Sequence, residues 1–203
     1  MAVLHALIIP TYGFITPDPN LPGGAGTIAR FRKAQALVRE GTIPRMTEEG
    51  PLIIPFPQDQ VPRDPREVAL LGPDACLGEN AAAHAAGLPE FEGAEIRHAP
   101  LSRGTWRDTF SAISMVDGIR VLLGCRESPV TLHFVSDPAQ LGRLWLIWHV
   151  GLVHEGIRLE GWQARFYAVP DSRSRGDLWR HEVPAYAKCL CLCMQQLLQI
   201  PEA

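Results

Sequence analysis

VTLHFVSDPAQLGRLWLIW, residues 130–148, changes character at its middle, and that change decides the fold class. Up to Val135 the run is apolar and rich in β-branched residues, as in a strand buried on both faces. From Pro138 onward Leu141, Leu144, Trp145 and Trp148 recur at helical spacing. A buried strand that passes at once into an amphipathic helix is half of a parallel β–α–β unit. Ser136 and Asp137 stand at the turn, and Arg143 lies about one and a half turns into the helix.

Outward from this unit, strand-like and helix-like runs alternate. Residues 3–9, 51–56, 94–99 and 162–169 have the apolar or alternating pattern of strands, the last more exposed than the rest. Residues 27–41 make a helix with Ile28, Phe31, Ala34 or Gln35, and Val38 on one face and Gly41 as its stop. A second helical stretch, 65–86, is broken by Gly72-Pro73. Residues 105–123 form another helix, and the last runs from about Leu178 to Gln199. The expected architecture is a single domain over 1–203, α/β and three-layered. Its mostly parallel sheet has about five strands in the order 3-2-1-4-5, with helices on both faces.

Right-handed crossovers place every strand-to-helix loop on one edge of such a sheet, and ligands bind outside the carboxyl ends of the strands. The rule gives candidates without a motif. They are Thr11, Tyr12 and Gly13 after the first strand, Gln58 and Asp59 after the second, and Ser102 to Thr105 after the third. Ser136 and Asp137 follow the fourth, and Asp171 to Arg175 the fifth.

Two of these loops combine a hydroxyl with cations. At the opening stretch, Ser136 or Asp137 suits the N-cap of the helix begun by Pro138, while Arg143 is more than a cap requires. A helix N-terminus with an arginine in reach suits an anion. At 99–109, Thr105 and Asp108 have capping-box spacing, and Arg103 and Arg107 add charge at the same rim. The ligand-binding candidates are therefore Thr11, Gly13, Asp59, Ser102, Thr105, Asp108, Ser136, Asp137 and Arg143. Asp108 and Asp137 would repel a bare phosphate and suit the hydroxyl or amino groups of a nucleoside- or sugar-like portion. The first loop, 10–27, is long enough to serve as a lid or binding loop.

Other chemistries find little support. GGAG at 23–26 is not a dinucleotide fingerprint, and there is no Walker A lysine, GxSxG elbow or HExxH pair. No catalytic residue stands out, and His133 inside a strand reads as a packed residue. A net charge of −3 without long runs argues against a nucleic-acid binder. The opening MAVLHALIIP fits neither a signal peptide nor a membrane span, so a cytoplasmic, reducing setting is expected for the five cysteines. In CLCLC, Cys189 and Cys193 would share a helix face with Cys191 pointing away; the run reads as helix core and not as a metal tract.

Three segments resemble, in order and spacing, the YdcF/SanA/ElyC-like family. Arg30, Ala34, Leu37 and Gly41 match its R-x-x-x-A-x-x-L-x-x-x-G helix, and Ser102 and Thr105 match S-x-x-T-x-x-N, with Asp108 for Asn. Val135, Ser136 and Arg143 correspond to V-T-S-x-x-H-x-x-R-A, with Gln140 at the histidine. The resemblance covers roughly residues 3 to 170. It implies a Rossmann-like fold with a cleft at the strand carboxyl ends, and S-adenosylmethionine as a ligand in one branch.

The sequence thus supports first a soluble Rossmann-like protein binding a small anionic or nucleotide-like metabolite. The second alternative is a hydrolase or transferase acting on a phosphate-containing or nucleotide-like substrate, with Asp59, Asp108 or Asp137 as base. An amide at position 140 cannot shuttle protons near neutral pH. The third is an interaction protein with a vestigial cleft, whose tryptophans and CLCLC helix form a partner or homodimer surface.

Overall fold

The structure, a computed structural model, describes residues 3–11, 14–16, 24–57, 65–99, 129–146, 148–149, 161–170, 183–187, 190, 191 and 194. The chain begins with β1 (Leu4–Ile8) and α1 (Gly24–Arg39), then the short strands β2 (Met46–Thr47) and β3 (Gly50–Pro51) and the longer β4 (Ile53–Pro57). Next come α2 (Pro65–Leu71), α3 (Leu77–Ala86), a 3₁₀ turn (Pro89–Phe91) and β5 (Glu95–Ala99). After them lie β6 (Val130–Ser136), α4 (Pro138–Leu146) and β7 (Trp162–Ala168).

β6 is buried at every residue, as its unbroken apolar run requires. It has a parallel neighbour on each side, β1 from Leu4↔Val130 to Ile8↔Phe134 and β7 from Val130↔Trp162 to Ser136↔Ala168. β4 continues the sheet beyond β1, and β5 beyond β4, again in parallel. The sheet is five-stranded, β5-β4-β1-β6-β7. In chain order its members are the third, second, first, fourth and fifth of the strands expected from sequence. The expectation lacked β2 and β3, a separate antiparallel ribbon. Strands of two residues have no periodicity to read. Their trace in the sequence is the Thr47-to-Gly50 turn, where the Gly50 N–Cα torsion is +137° and Glu49 N–H donates to the Thr47 hydroxyl at 3.3 Å.

Successive strand residues face opposite layers. Val135, with Leu7, Ile9, Ile54 and Phe56, packs on Phe31, Ala34, Leu37 and Val38 of α1 and on Ala81, Ala82 and Ala85 of α3. Phe134 faces the other way, stacked on Phe166 at 5.3 Å and edge-on to Trp148 just beyond α4. The fold is therefore three-layered, with α1 and α3 on one face and α4 on the other. Gly41 ends α1 with a torsion of +75°. At the far end of α1, Gln35 donates to Glu90 at 2.6 Å, and Arg39 pairs with the same carboxylate. These two partners, Arg39 first, hold the Glu90 carboxyl down to about 2.

Some expectations need correcting. The inward face of α1 runs through Thr27, Arg30, Phe31, Ala34, Leu37 and Val38, so it is rotated away from Ile28 toward Arg30. On α4, Leu141 and Leu144 are buried but Trp145 is exposed, because the helix rests on the sheet along a narrower stripe than four apolar residues suggest. Leu190 is exposed, and so is Cys191, as expected of the cysteine that points away from the face Cys189 and Cys193 would share. Cys125, Cys189, Cys193 and the helix expected over 105–123 lie outside the described residues. Among the described residues no helix is long and apolar enough to cross a membrane.

Residues 183–187 are helical and dock on α4 through Tyr186, whose ring lies 6.0 Å from the Arg143 guanidinium carbon. The contact depends on a missing side chain, since a Cβ on Gly142 would sit 1.8 Å from the Tyr186 hydroxyl. Helix propensity alone favours alanine over glycine by about 1 kcal/mol. Urea unfolding should therefore show Gly142→Ala destabilising the protein by roughly 1 kcal/mol or more. The same substitution should stabilise it once Tyr186→Ala has cleared the space. Stabilisation in both backgrounds would mean that Tyr186 does not rest on Gly142.

Candidate functional site

The crossovers define one place where the strand order reverses. β1, α1, β4, α3 and β5 step outward on one side of β1, whereas β6, α4 and β7 step outward on the other. Ligands in sheets of this kind bind beyond the carboxyl ends of the two strands flanking that reversal, here β1 and β6. Continuing the register Ile8↔Phe134 brings Pro10 level with Ser136, so the first loop and the start of α4 face each other.

Asp137 caps α4. Its Oδ1 accepts the Gln140 backbone N–H at 2.9 Å, and its carbonyl accepts the first helical bond, from Leu141 N–H at 3.0 Å. The other carboxylate oxygen accepts Arg30 Nη2–H at 2.7 Å, and Arg30 Nη1–H donates to the Pro10 carbonyl at 2.7 Å. Both side chains of the pair are only 4% exposed. Arg30 thus reaches from α1 to the end of β1 and to the cap of α4. Sequence analysis missed it as a site residue. Its signal was a single arginine inside the apolar stripe of α1, between Thr27 and Ala34.

Ser136 is wholly buried, and its hydroxyl donates to Gln140 Oε1, one helical turn ahead. Arg143 is 6% exposed and packs on Tyr186. Thr11 is half-buried beside Pro10. Of the nine expected site residues, Thr11, Ser136 and Asp137 come together at the β1–β6 junction. Gly13, Asp59, Ser102, Thr105 and Asp108 lie outside the described residues, as do Tyr12, Gln58, Arg103, Arg107 and Asp171 to Arg175.

The described part of the first loop is fastened to the body of the protein. Phe14 is buried, and Gly24 approaches its carbonyl so closely that a Cβ would stand 2.9 Å away. The Asn80 amide of α3 accepts Ile15 N–H at 2.7 Å and donates to the Ile15 carbonyl at 3.0 Å, as a neighbouring strand would. Residues 14–16 are therefore held as a wall toward the α3 side and do not form a loose flap.

A second polar group crosses the sheet face below. His5 Nδ1 and His133 Nε2 are 2.8 Å apart, and His133 Nδ1 is 3.1 Å from the Tyr167 hydroxyl, with the three rings stacked. Burial, then the His5 and Arg165 charges, push His133 down to about 3; burial and Arg165 lower His5 as well. Both imidazoles are neutral near pH 7, and the packed-residue expectation for His133 agrees with its full burial. Among the described residues no three His, Cys, Asp or Glu side chains group as metal ligands would.

No family model, curated protein or solved structure matches the chain. The resemblance to the YdcF/SanA/ElyC-like family therefore rests on its short motifs alone.

Two outcomes follow from this geometry. Breaking a buried ion pair from one side costs about 3–5 kcal/mol, because the other charge is left in the protein interior. Arg30→Met and Asp137→Asn should each destabilise the protein, and the double variant should lose clearly less than the sum in urea unfolding. Additive losses would show that the two groups do not act as a pair. For His133, a folded value near 3 against 6.5 for the free side chain means that the unfolded chain takes up a proton first. Its contribution is complete above about pH 6.5 and is lost as pH falls toward 3, at up to about 1.4 kcal/mol per pH unit. His133→Phe should flatten that limb of the stability profile between pH 6.5 and 4, and an unchanged slope would remove His133 as its source.

Proposed function

We propose that the protein binds a small anionic or nucleotide-like metabolite at the carboxyl ends of β1 and β6, with Thr11, Ser136, Asp137 and Arg30 forming the described part of the site. The observation that supports this most is the position of the Arg30–Asp137 pair. Two charges withdrawn from water are no gain over a well-packed apolar pair, so stability alone does not call for them. They stand where this architecture places its ligands. Gly13, Asp59, Ser102, Thr105 and Asp108 belong to the proposal by their places in the sequence and lie outside the described residues, and Arg143 packs on Tyr186 further along α4. Membership of a YdcF-like family belongs to the same proposal. So does a cytoplasmic setting.

The test is thermal unfolding of the full chain against nucleosides, nucleotides, sugar phosphates, S-adenosylmethionine and inorganic phosphate. A ligand present at about a hundred times its Kd adds roughly 2.7 kcal/mol to stability. At least one member of the panel should raise the midpoint by several degrees, and the shift should shrink in Thr11→Ala. A panel without a single shift would remove the reading.

A further inference from the structure

The His5–His133–Tyr167 chain crosses three strands, from β1 through β6 to β7, and its capacity for protons is limited by its own hydrogen bonds. His5 Nδ1 and His133 Nε2 lie 2.8 Å apart, so one N–H points at one lone pair. The other His133 nitrogen, Nδ1, is shared with the Tyr167 hydroxyl at 3.1 Å. With both rings neutral every one of these bonds is made. One added proton on the half-buried His5 keeps them all, since His5 Nδ1–H then donates to His133 and His133 Nδ1–H donates to Tyr167. A second proton, on the fully buried His133, sets two N–H donors against each other at 2.8 Å.

The surroundings oppose charge on the pair. Arg165, the register partner of His133 on β7, acts on both rings, and among the described residues no carboxylate does. On the same face β6 adds Thr131, and β7 adds Gln163 and Tyr167. α1 turns Thr27, Arg30, Phe31, Ala34, Leu37 and Val38 inward, and its one charge there, Arg30, is committed to Asp137 and the Pro10 carbonyl. Relief lies on one side of the sheet. Among the described strands β7 pairs with β6 alone, and its Gln163 and Arg165 are exposed, whereas β4 and β5 stand beyond His5. Water reaches a charged His133 with least disruption where β7 moves away, and partial openings of this kind are ordinary in folded proteins.

We propose that the His5–His133 pair is an acid-sensitive latch for β7: with the rings neutral it holds the strand, and full protonation releases it while β1, β4 and β5 stay paired. β7 ends where Val169 N–H donates to the Ser136 carbonyl at 2.9 Å, so release also frees the backbone ahead of the α4 cap. The latch does not rest on the ligand reading. Burial gives the direction: His133 takes its proton at about 3 in the folded chain and at 6.5 once released, so release gains as pH falls below 6.5. Between pH 7 and pH 5 one such histidine raises the open fraction about twentyfold.

Hydrogen–deuterium exchange of the full chain at pH 7 and pH 5, corrected for the intrinsic pH dependence of amide exchange, reads the latch strand by strand. Peptides covering 162–168 should lose protection about twentyfold at pH 5, while those covering 53–57 and 95–99 keep theirs. His133→Gln, whose amide has a donor and an acceptor for the same two partners but takes no proton, should make the protection of β7 nearly independent of pH over that range. Circular dichroism and the urea midpoint at pH 7 show whether the variant is folded, and the strand-by-strand comparison in the wild type decides the matter without it. Equal losses in β4, β5 and β7 overturn the proposal, as does no loss at all. An undiminished loss in folded His133→Gln overturns it as well.

Discussion

The Arg30–Asp137 contact joins three pieces of chain at one point: the middle of α1, the end of β1 and the first turn of α4. Each partner explains a feature of its own element. Arg30 rotates the buried face of α1 away from Ile28, and Asp137 begins α4 immediately after a seven-residue buried strand. With both charges out of water, neither can be released without exposing the other to a poor environment, so the spacing of the two loops is held firmly. The site proposed above the β1–β6 junction depends on that spacing.

The two faces of the sheet solve different problems. Above β1, β4 and β6 toward α1 and α3, the phenylalanines 31, 56 and 91 and the alanines of α3 fill the layer, with His84 edge-on to Phe31. Small residues on α3 let it lie close to β4 and β5. Toward the β7 edge the same face turns polar, with Gln163 and Arg165 exposed and Tyr167 half-buried. There His133 is buried without an apolar partner set, and the sheet accommodates it because His5 and Tyr167 satisfy its two ring nitrogens. The arrangement costs little as long as the imidazoles stay neutral, which burial first and then the Arg165 charge favour.

Much of this fold is legible from periodicity. The continuous apolar run at 130–135 marked a strand with neighbours on both sides, and the Gly72-Pro73 break separated α2 from α3 because glycine there takes a torsion of +90°. Asp137 as a cap was within reach of the sequence, since capping depends on residues three apart. Arg30 as its partner was not, because 107 positions separate them. Trp145 shows the opposite failure: its spacing matches the buried stripe of α4, yet which apolar residue is covered depends on what packs alongside.

The sequence by itself determined what depends on neighbours along the chain: the alternation of strands and helices, the helix stops at Gly41 and Gly72, and the turn at Ser136-Asp137. Tertiary structure alone decided which side chains meet. It put Arg30 onto Asp137, Asn80 onto Ile15, Tyr186 onto Gly142, and His5 and Tyr167 onto His133. The physical reason is the range of the forces involved. Backbone propensity and hydrophobic periodicity act over one or two turns. A buried charge or imidazole is tolerated only if a partner arrives from another element, and sheet order and register fix which element that is.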